Sequence, residues 1–177
     1  MNIGETIGEV FLTANKFTPT GEVKWKYKVV INKLETKMAK RDDLAFTPNV
    51  PAVGIEINYG ERVNVFIFSE TDVIKIVDIW MGGMDESTEL SEMHESAAGE
   101  LVYQIVRQAD TPLKELLNIP VNMDISNRRT FRIDGDYNIG ISEAAVGDTV
   151  TLTKLKLLVD DFISGEILVI SSDAFKK

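Results

Sequence analysis

The side chains in this sequence whose types and spacing suggest shared chemistry lie on one stretch, residues 89–108, ELSEMHESAAGELVYQIVRQ. Ser96, Glu100, Tyr103 and Gln104 are separated by helical intervals of three and four, and Arg107 continues the row. On a helix such residues share one polar surface. A carboxylate on it would pair with a cation, while the hydroxyls and the amide both donate and accept hydrogen bonds. Spacing alone supports no more than a solvated helix face that can meet a partner molecule.

The elements that must position this face follow from periodicity. At about 100° per residue, Leu90, Met93, Ala97, Leu101 and Ile105 fall on one arc with Ala98 beside it, which predicts an amphipathic helix over 89–108. Glu92, Ser96, Glu100, Tyr103 and Arg107 lie opposite, so Glu100 and Tyr103 should be exposed. His94, the only histidine, falls on the apolar arc and reads as a core or boundary residue, not a base.

Upstream, Ile3, Ile7 and Phe11 predict a first helix over 3–15, followed by a turn at Pro19-Thr20-Gly21. From Glu22 the period changes to two: Val23, Trp25, Tyr27, Val29 and Ile31 alternate with Lys24, Lys26 and Lys28, a half-buried strand. The lysines read as blunting a sheet edge against aggregation. Residues 36–50, charged and then bounded by proline, predict a loop. Residues 53–58 and 62–68 read as a β-hairpin turning at Tyr59-Gly60-Glu61. Ser69 to Asp72 reads as a helix cap before Val73, Ile76, Val77 and Trp80, with the helix ending at Gly82-Gly83. After the long helix Thr111-Pro112 breaks the pattern, leaving a short turn of helix over 113–117. Strands are then predicted at 121–126, 129–133, 138–143, 149–159 and 166–171, with turns at Asp134-Gly135-Asp136, Val146-Gly147-Asp148 and Ile163-Ser164-Gly165. Helices and hairpins arriving in blocks predict an α+β fold, with long helices packed on a curved, mainly antiparallel sheet.

With 177 residues and 44% hydrophobic content the chain suits one domain with a sizeable core. Its 19 basic and 28 acidic residues, net charge −9, disfavour nucleic acid and anionic membrane as partners. The absence of cysteine excludes disulfides and thiolate metal sites. Without a basic leader or an apolar run long enough for a span, the expected location is the cytoplasm. Asp134, Asp136 and Asn138 alternate without the glycine and distal glutamate of a calcium loop, so turn chemistry explains them and no metal site is expected.

Residues 90–104, LSEMHESAAGELVYQ, resemble the active helix of the CheC, CheX and FliY chemotaxis phosphatases, whose signature is Ser or Asp, three residues, Glu, two residues, Asn. Ser96 and Glu100 match the first two positions, and Tyr103 stands where the Asn is expected. The Met81-Gly82-Gly83-Met84 turn resembles the turn that precedes this helix in the family. Met123-Asp124-Ile125-Ser126 resembles a later segment of the signature, with Asn127 where proline is expected.

The resemblance implies a CheC/CheX-like fold, a homodimer, and hydrolysis of the aspartyl phosphate on a phosphorylated CheY-like response regulator. It implies that Glu100 is free to pair with a lysine of the regulator, and that the Mg²⁺ belongs to the regulator, with no cofactor held by this chain. A carboxamide orients the attacking water in the family, so positioning and not covalent chemistry would carry catalysis. With a phenol at that position, Gln104 becomes the candidate amide: an unrelated phosphatase of chemotaxis places an acid and a glutamine at the same i, i+4 spacing. Glu100 and Gln104 are thus the catalytic candidates, with Ser96, Tyr103 and Arg107 as partner-binding residues. The departures at Tyr103 and Asn127 leave two other functions open. One is a silent module, like the flagellar switch protein FliM, that binds a regulator or scaffolds a complex; the other is a fold kept only for dimerisation.

Overall fold

The computed structural model describes residues 29–40, 45–46, 51–59, 62–81, 87–108, 110–117, 120, 122, 124–133, 137–138 and 149–172. Their main sheet is built from β1 (Val29–Lys40), β3 (Ala52–Tyr59), β4 (Arg62–Ser69), β5 (Ile125–Ile133), β7 (Thr149–Val159) and β8 (Ile163–Ser172). The order across it is β1-β7-β8-β4-β3-β5 and every pairing is antiparallel. Two short strands, β2 (Ala45–Phe46) and β6 (Tyr137–Asn138), pair separately. The helices are α1 (Glu70–Trp80), α2 (Glu92–Gln108) and α3 (Asp110–Leu117). The α+β architecture and the antiparallel sheet are as the sequence predicts.

The hairpin β3–β4 is registered from Ala52 opposite Ser69 to Tyr59 opposite Arg62, and all of β3 is buried. Its two faces serve different clusters. Val53, Ile55, Ile57 and Tyr59 pack with Phe66, Phe68 and the helices, while Ala52 packs with Val63, Val65, Ile67 and Ile133 on the other side. Ser69 caps α1, its hydroxyl accepting from the Asp72 amide at 3.1 Å. Val73, Ile74 and Val77 carry the helix onto the sheet, and Met81 ends it.

Several boundaries differ from the sequence reading. Residues 36–40 are not loop but the second half of β1, paired with β7 from Thr36 opposite Thr153 to Lys40 opposite Thr149. Cross-strand pairing overrides their charged composition, because an edge strand tolerates polar side chains. The β7–β8 turn falls at Asp160, Asp161 and Phe162, with Asp160 at φ 40°; aspartate tolerates that region, so Ile163, Ser164 and Gly165 are free to extend β8. Of the strand predicted at 121–126, Asn122 and Asp124 lie outside any strand and β5 begins at Ile125, while 121 and 123 are outside the described residues. Pro112 lies in the first turn of α3, where its missing N–H is not needed. The predicted helix at 3–15, the turn at 19–21, the start of the first strand at 22–28, Gly82-Gly83, the hairpin loop at 60–61, residues 139–143 and the turns at 134–136 and 146–148 lie outside the described residues.

Where α3 meets the sheet, the Tyr59 hydroxyl donates to Asp110 Oδ1 at 3.0 Å, and Lys114, 2% exposed, pairs with Asp110 Oδ2 at 2.8 Å. Burial, then the hydrogen bond to Asp110 and that carboxylate's charge, raise the phenol above its ordinary range. An acid raised in the folded state stabilises fully below its unfolded value, about 10 for tyrosine, and loses that contribution as pH climbs towards the folded value. Tyr59→Phe should therefore cost about 1 kcal/mol at pH 8. The gap to wild type should close above about pH 10, because the unfolded wild type then gains a charge that phenylalanine cannot. Denaturant unfolding at both pH values checks this, and a gap unchanged at the higher pH would refute it.

Candidate functional site

The site is built where α2 crosses the edge strand β5. On α2 the buried positions are His94, Ala98, Leu101, Val102 and Val106, with Ala97 partly buried and Leu90 buried just before the helix. This arc is rotated about one residue from the predicted one, and Met93 is 51% exposed. The helix also starts at Glu92 and not at residue 89, because Ser91 caps it. Its hydroxyl accepts from the His94 amide at 3.4 Å, and the Ser91 amide donates to His94 Nδ1 at 3.2 Å. This is a capping box with histidine in the usual place of glutamate.

The other ring nitrogen, His94 Nε2, donates to Asp78 Oδ1 at 3.1 Å, and Asp78 also accepts from the Ser87 hydroxyl and amide at 3.1 and 3.3 Å. Although Ser91, His94 and Asp78 have the residue types of a nucleophilic triad, both ring nitrogens are consumed in tying α1 to the start of α2. The structural reading of His94 stands, and its burial follows from these bonds.

β5 alternates faces. Arg129, Phe131 and Ile133 turn away from the helices: Arg129 pairs with buried Glu56 at 2.8 Å, and the Phe131 ring lies on Gly54. Arg128, Thr130 and Arg132 turn towards α2. Arg132 pairs with Glu95 and donates to the Leu90 carbonyl at 3.1 Å. Arg128 Nη1 donates to Glu100 Oε2 at 2.6 Å, and its guanidinium lies 4.6 Å from the centre of the Tyr103 ring. The Tyr103 hydroxyl accepts from Arg107 at 3.2 Å.

Between these pairs, Glu95, Ser96, Gly99 and Glu100 of α2 and Arg128 and Thr130 of β5 line a groove of about 340 Å³. The close crossing depends on Gly99: a Cβ there would stand 2.5 Å from Thr130 Oγ1.

Ser96 is exposed, Glu100 is 39% exposed at its side chain, and Arg107 is exposed. The structure brings these three and Tyr103 onto one face. Tyr103 is only partly exposed, its ring packed on the core cluster. Gln104 lies on α2 in the turn after Glu100, and its side chain is outside the described residues, as is that of Asn127. The expectation of a free Glu100 is corrected: its carboxylate is held by Arg128 within the chain. Arg128 and Arg132 were not singled out from the sequence, although two arginines spaced four apart around Thr130 on a strand place cations on one face, which a helix bearing glutamates would satisfy. Among the described residues no cluster of three or more His, Cys, Asp or Glu is arranged to hold a metal, and no helix is long and apolar enough to cross a membrane.

The antiparallel sheet with its packed helices is matched by solved structures of FliY, CheX and FliM. The structure of Thermotoga maritima FliY matches 96% of this chain and 87% of its own at a TM-score of 0.71 and 22% identity. CheX from Vibrio vulnificus matches 94% of this chain and 95% of its own at 0.58 and 12% identity. The FliM middle domain from Vibrio alginolyticus matches 96% and 90% at 0.57 and 10% identity. No protein-family model and no curated protein sequence matches the chain. At these identities the likeness establishes a CheX/FliY-like fold, as the resemblance implied.

Gly99→Ala should gain helix propensity of about 1 kcal/mol yet lose more by pushing α2 off β5. In a Thr130→Ala background, which keeps only the Cβ, 3.8 Å from the added carbon, the same change should become neutral or stabilising. A thermal-denaturation double-mutant cycle measures the coupling, and additivity would contradict this account of the crossing.

Proposed function

We propose that this chain binds a phosphorylated CheY-like response regulator through the face carrying Ser96, Glu100, Tyr103 and Arg107, and promotes hydrolysis of its aspartyl phosphate. The observation that carries this is the placement of Ser96 and Glu100, at the signature spacing, along an open groove on α2 in a CheX/FliY-like fold. Glu100 would exchange Arg128 for the regulator's lysine. The exchange is feasible because the Arg128–Glu100 pair is half exposed, and such pairs contribute about 0–1 kcal/mol. Gln104 is the carboxamide proposed to orient the attacking water. The Mg²⁺ that neutralises phosphoryl charge is assigned to the regulator, and this chain supplies positioning.

A second reading, a silent module that binds or sequesters the regulator, is favoured by one observation. Tyr103, at the position of the family's Asn, is fixed between Arg128 and Arg107 and has no amide to offer a water. The homodimer and the cytoplasmic location remain part of the proposal.

The test is the decay of acetyl-phosphate-loaded CheY-like regulators from the same organism. Wild type should accelerate decay, and Glu100→Ala or Gln104→Ala should lower the acceleration by about tenfold or more. An inert wild type that gains activity on Tyr103→Asn would establish the silent module instead. Glu100→Lys should repel the regulator's lysine and weaken binding; unchanged affinity would sink this docking mode.

A further inference from the structure

Resting on the proposed docking, we propose that Arg128 is the residue that makes binding depend on phosphorylation of the partner, by contacting the phosphoryl oxygens once Glu100 is taken by the partner's lysine. The guanidinium is bonded to Glu100 at 2.6 Å, stacked 4.6 Å from the centre of the Tyr103 ring, and half exposed on the wall of the groove. When a partner lysine claims the Glu100 carboxylate, Arg128 loses its anion but keeps its aromatic support. A guanidinium displaced in this way can fork two N–H groups onto a pair of anionic oxygens, which a phosphoryl group offers.

The partner's own chemistry places a lysine and a phosphorylated aspartate side by side, so one docking event presents both the cation for Glu100 and the anion for Arg128. Phosphorylation adds negative charge and three acceptor oxygens beyond the aspartate carboxylate, and these are what the guanidinium would meet. An unphosphorylated partner offers Arg128 only the shorter, singly charged aspartate carboxylate, and the poorer pairing of a guanidinium in a closed contact discriminates against it. Tyr103 then has a role that the family's Asn would not fill: its ring holds the guanidinium in place. Of the neighbouring arginines, Arg129 pairs with Glu56 on the opposite side of the sheet, and Arg132 is directed to Glu95 and the Leu90 carbonyl.

The experiment is titration of a fluorescently labelled CheY-like regulator from the same organism, with and without beryllium fluoride as the aspartyl-phosphate mimic, against wild type, Arg128→Gln, Arg128→Lys and Arg107→Gln. Wild type should prefer the beryllofluoride form by about tenfold or more. Arg128→Gln should bring that ratio close to one while unfluorinated binding persists, and Arg128→Lys, which keeps the charge but not the fork, should lower it by at least about threefold. Arg107→Gln should weaken both forms alike. An Arg128→Gln ratio equal to wild type overturns the inference and leaves the docking intact; so does an Arg107→Gln loss as large as that of Arg128→Gln, since net charge and not position would then decide. If Arg128→Gln does not fold, an unchanged ratio in Arg128→Lys has the same force. A wild type that binds neither form, or both equally, removes the proposed function itself.

Discussion

The seating of α2 on β5 is the constraint on which the rest of the site depends. Apolar burial supplies its energy: Leu101, Val102 and Val106 are each about 5% exposed or less, and a fully buried Leu or Val contributes about 1.5–3 kcal/mol. The ion pairs from Arg128 and Arg132 are half exposed and contribute at most about 1 kcal/mol each. They decide position where burial is indifferent. A helix resting on an apolar strip can slide or roll, but two arginines four residues apart on a strand, gripping glutamates five residues apart on the helix, allow one rotation. Gly99 over Thr130 fixes the distance.

That division of labour explains what was legible in the sequence. The period-two runs at 53–58, 62–68 and 149–159 gave strands because each alternates or runs apolar over its own length, and α1 was announced by its cap at Ser69. The helix face carrying Ser96, Glu100, Tyr103 and Arg107 was legible for the same reason: it depends only on local spacing. What could not be read was anything decided between elements. The arc of α2 is rotated because a buried Asp78 draws His94 inwards, and Met93 is left outside as a consequence. Glu100 looked available because its partner is 28 residues away on a strand whose arginines have no local reason to be there. Residues 36–40 looked like loop because their order comes from β7.

The Ser91, His94 and Asp78 constellation shows how the same residue types acquire different meanings. A nucleophile needs its base to hold a lone pair for the hydroxyl proton alone. Here His94 Nδ1 is shared between the Ser91 hydroxyl at 2.7 Å and the Ser91 backbone amide at 3.2 Å, while the serine oxygen accepts the His94 amide as a helix cap. The constellation sets where α2 begins, and therefore where Ser96 and Glu100 stand on the groove.

Tyr103 changes the chemistry of the site more than the loss of an amide would. A small carboxamide at this position would leave the Arg128 guanidinium with Glu100 as its partner and no aromatic surface beneath it. The phenol adds a face for Arg128 and an oxygen for Arg107, joining two cations through one ring. An arrangement in which Glu100 offers the negative charge and two arginines converge on the neighbouring residue is bipolar, which is the charge pattern the proposed docking uses. Water positioning and charge pairing are separable requirements of phosphoryl hydrolysis. Under the proposed function the described side chains serve the second, and the first is assigned to Gln104.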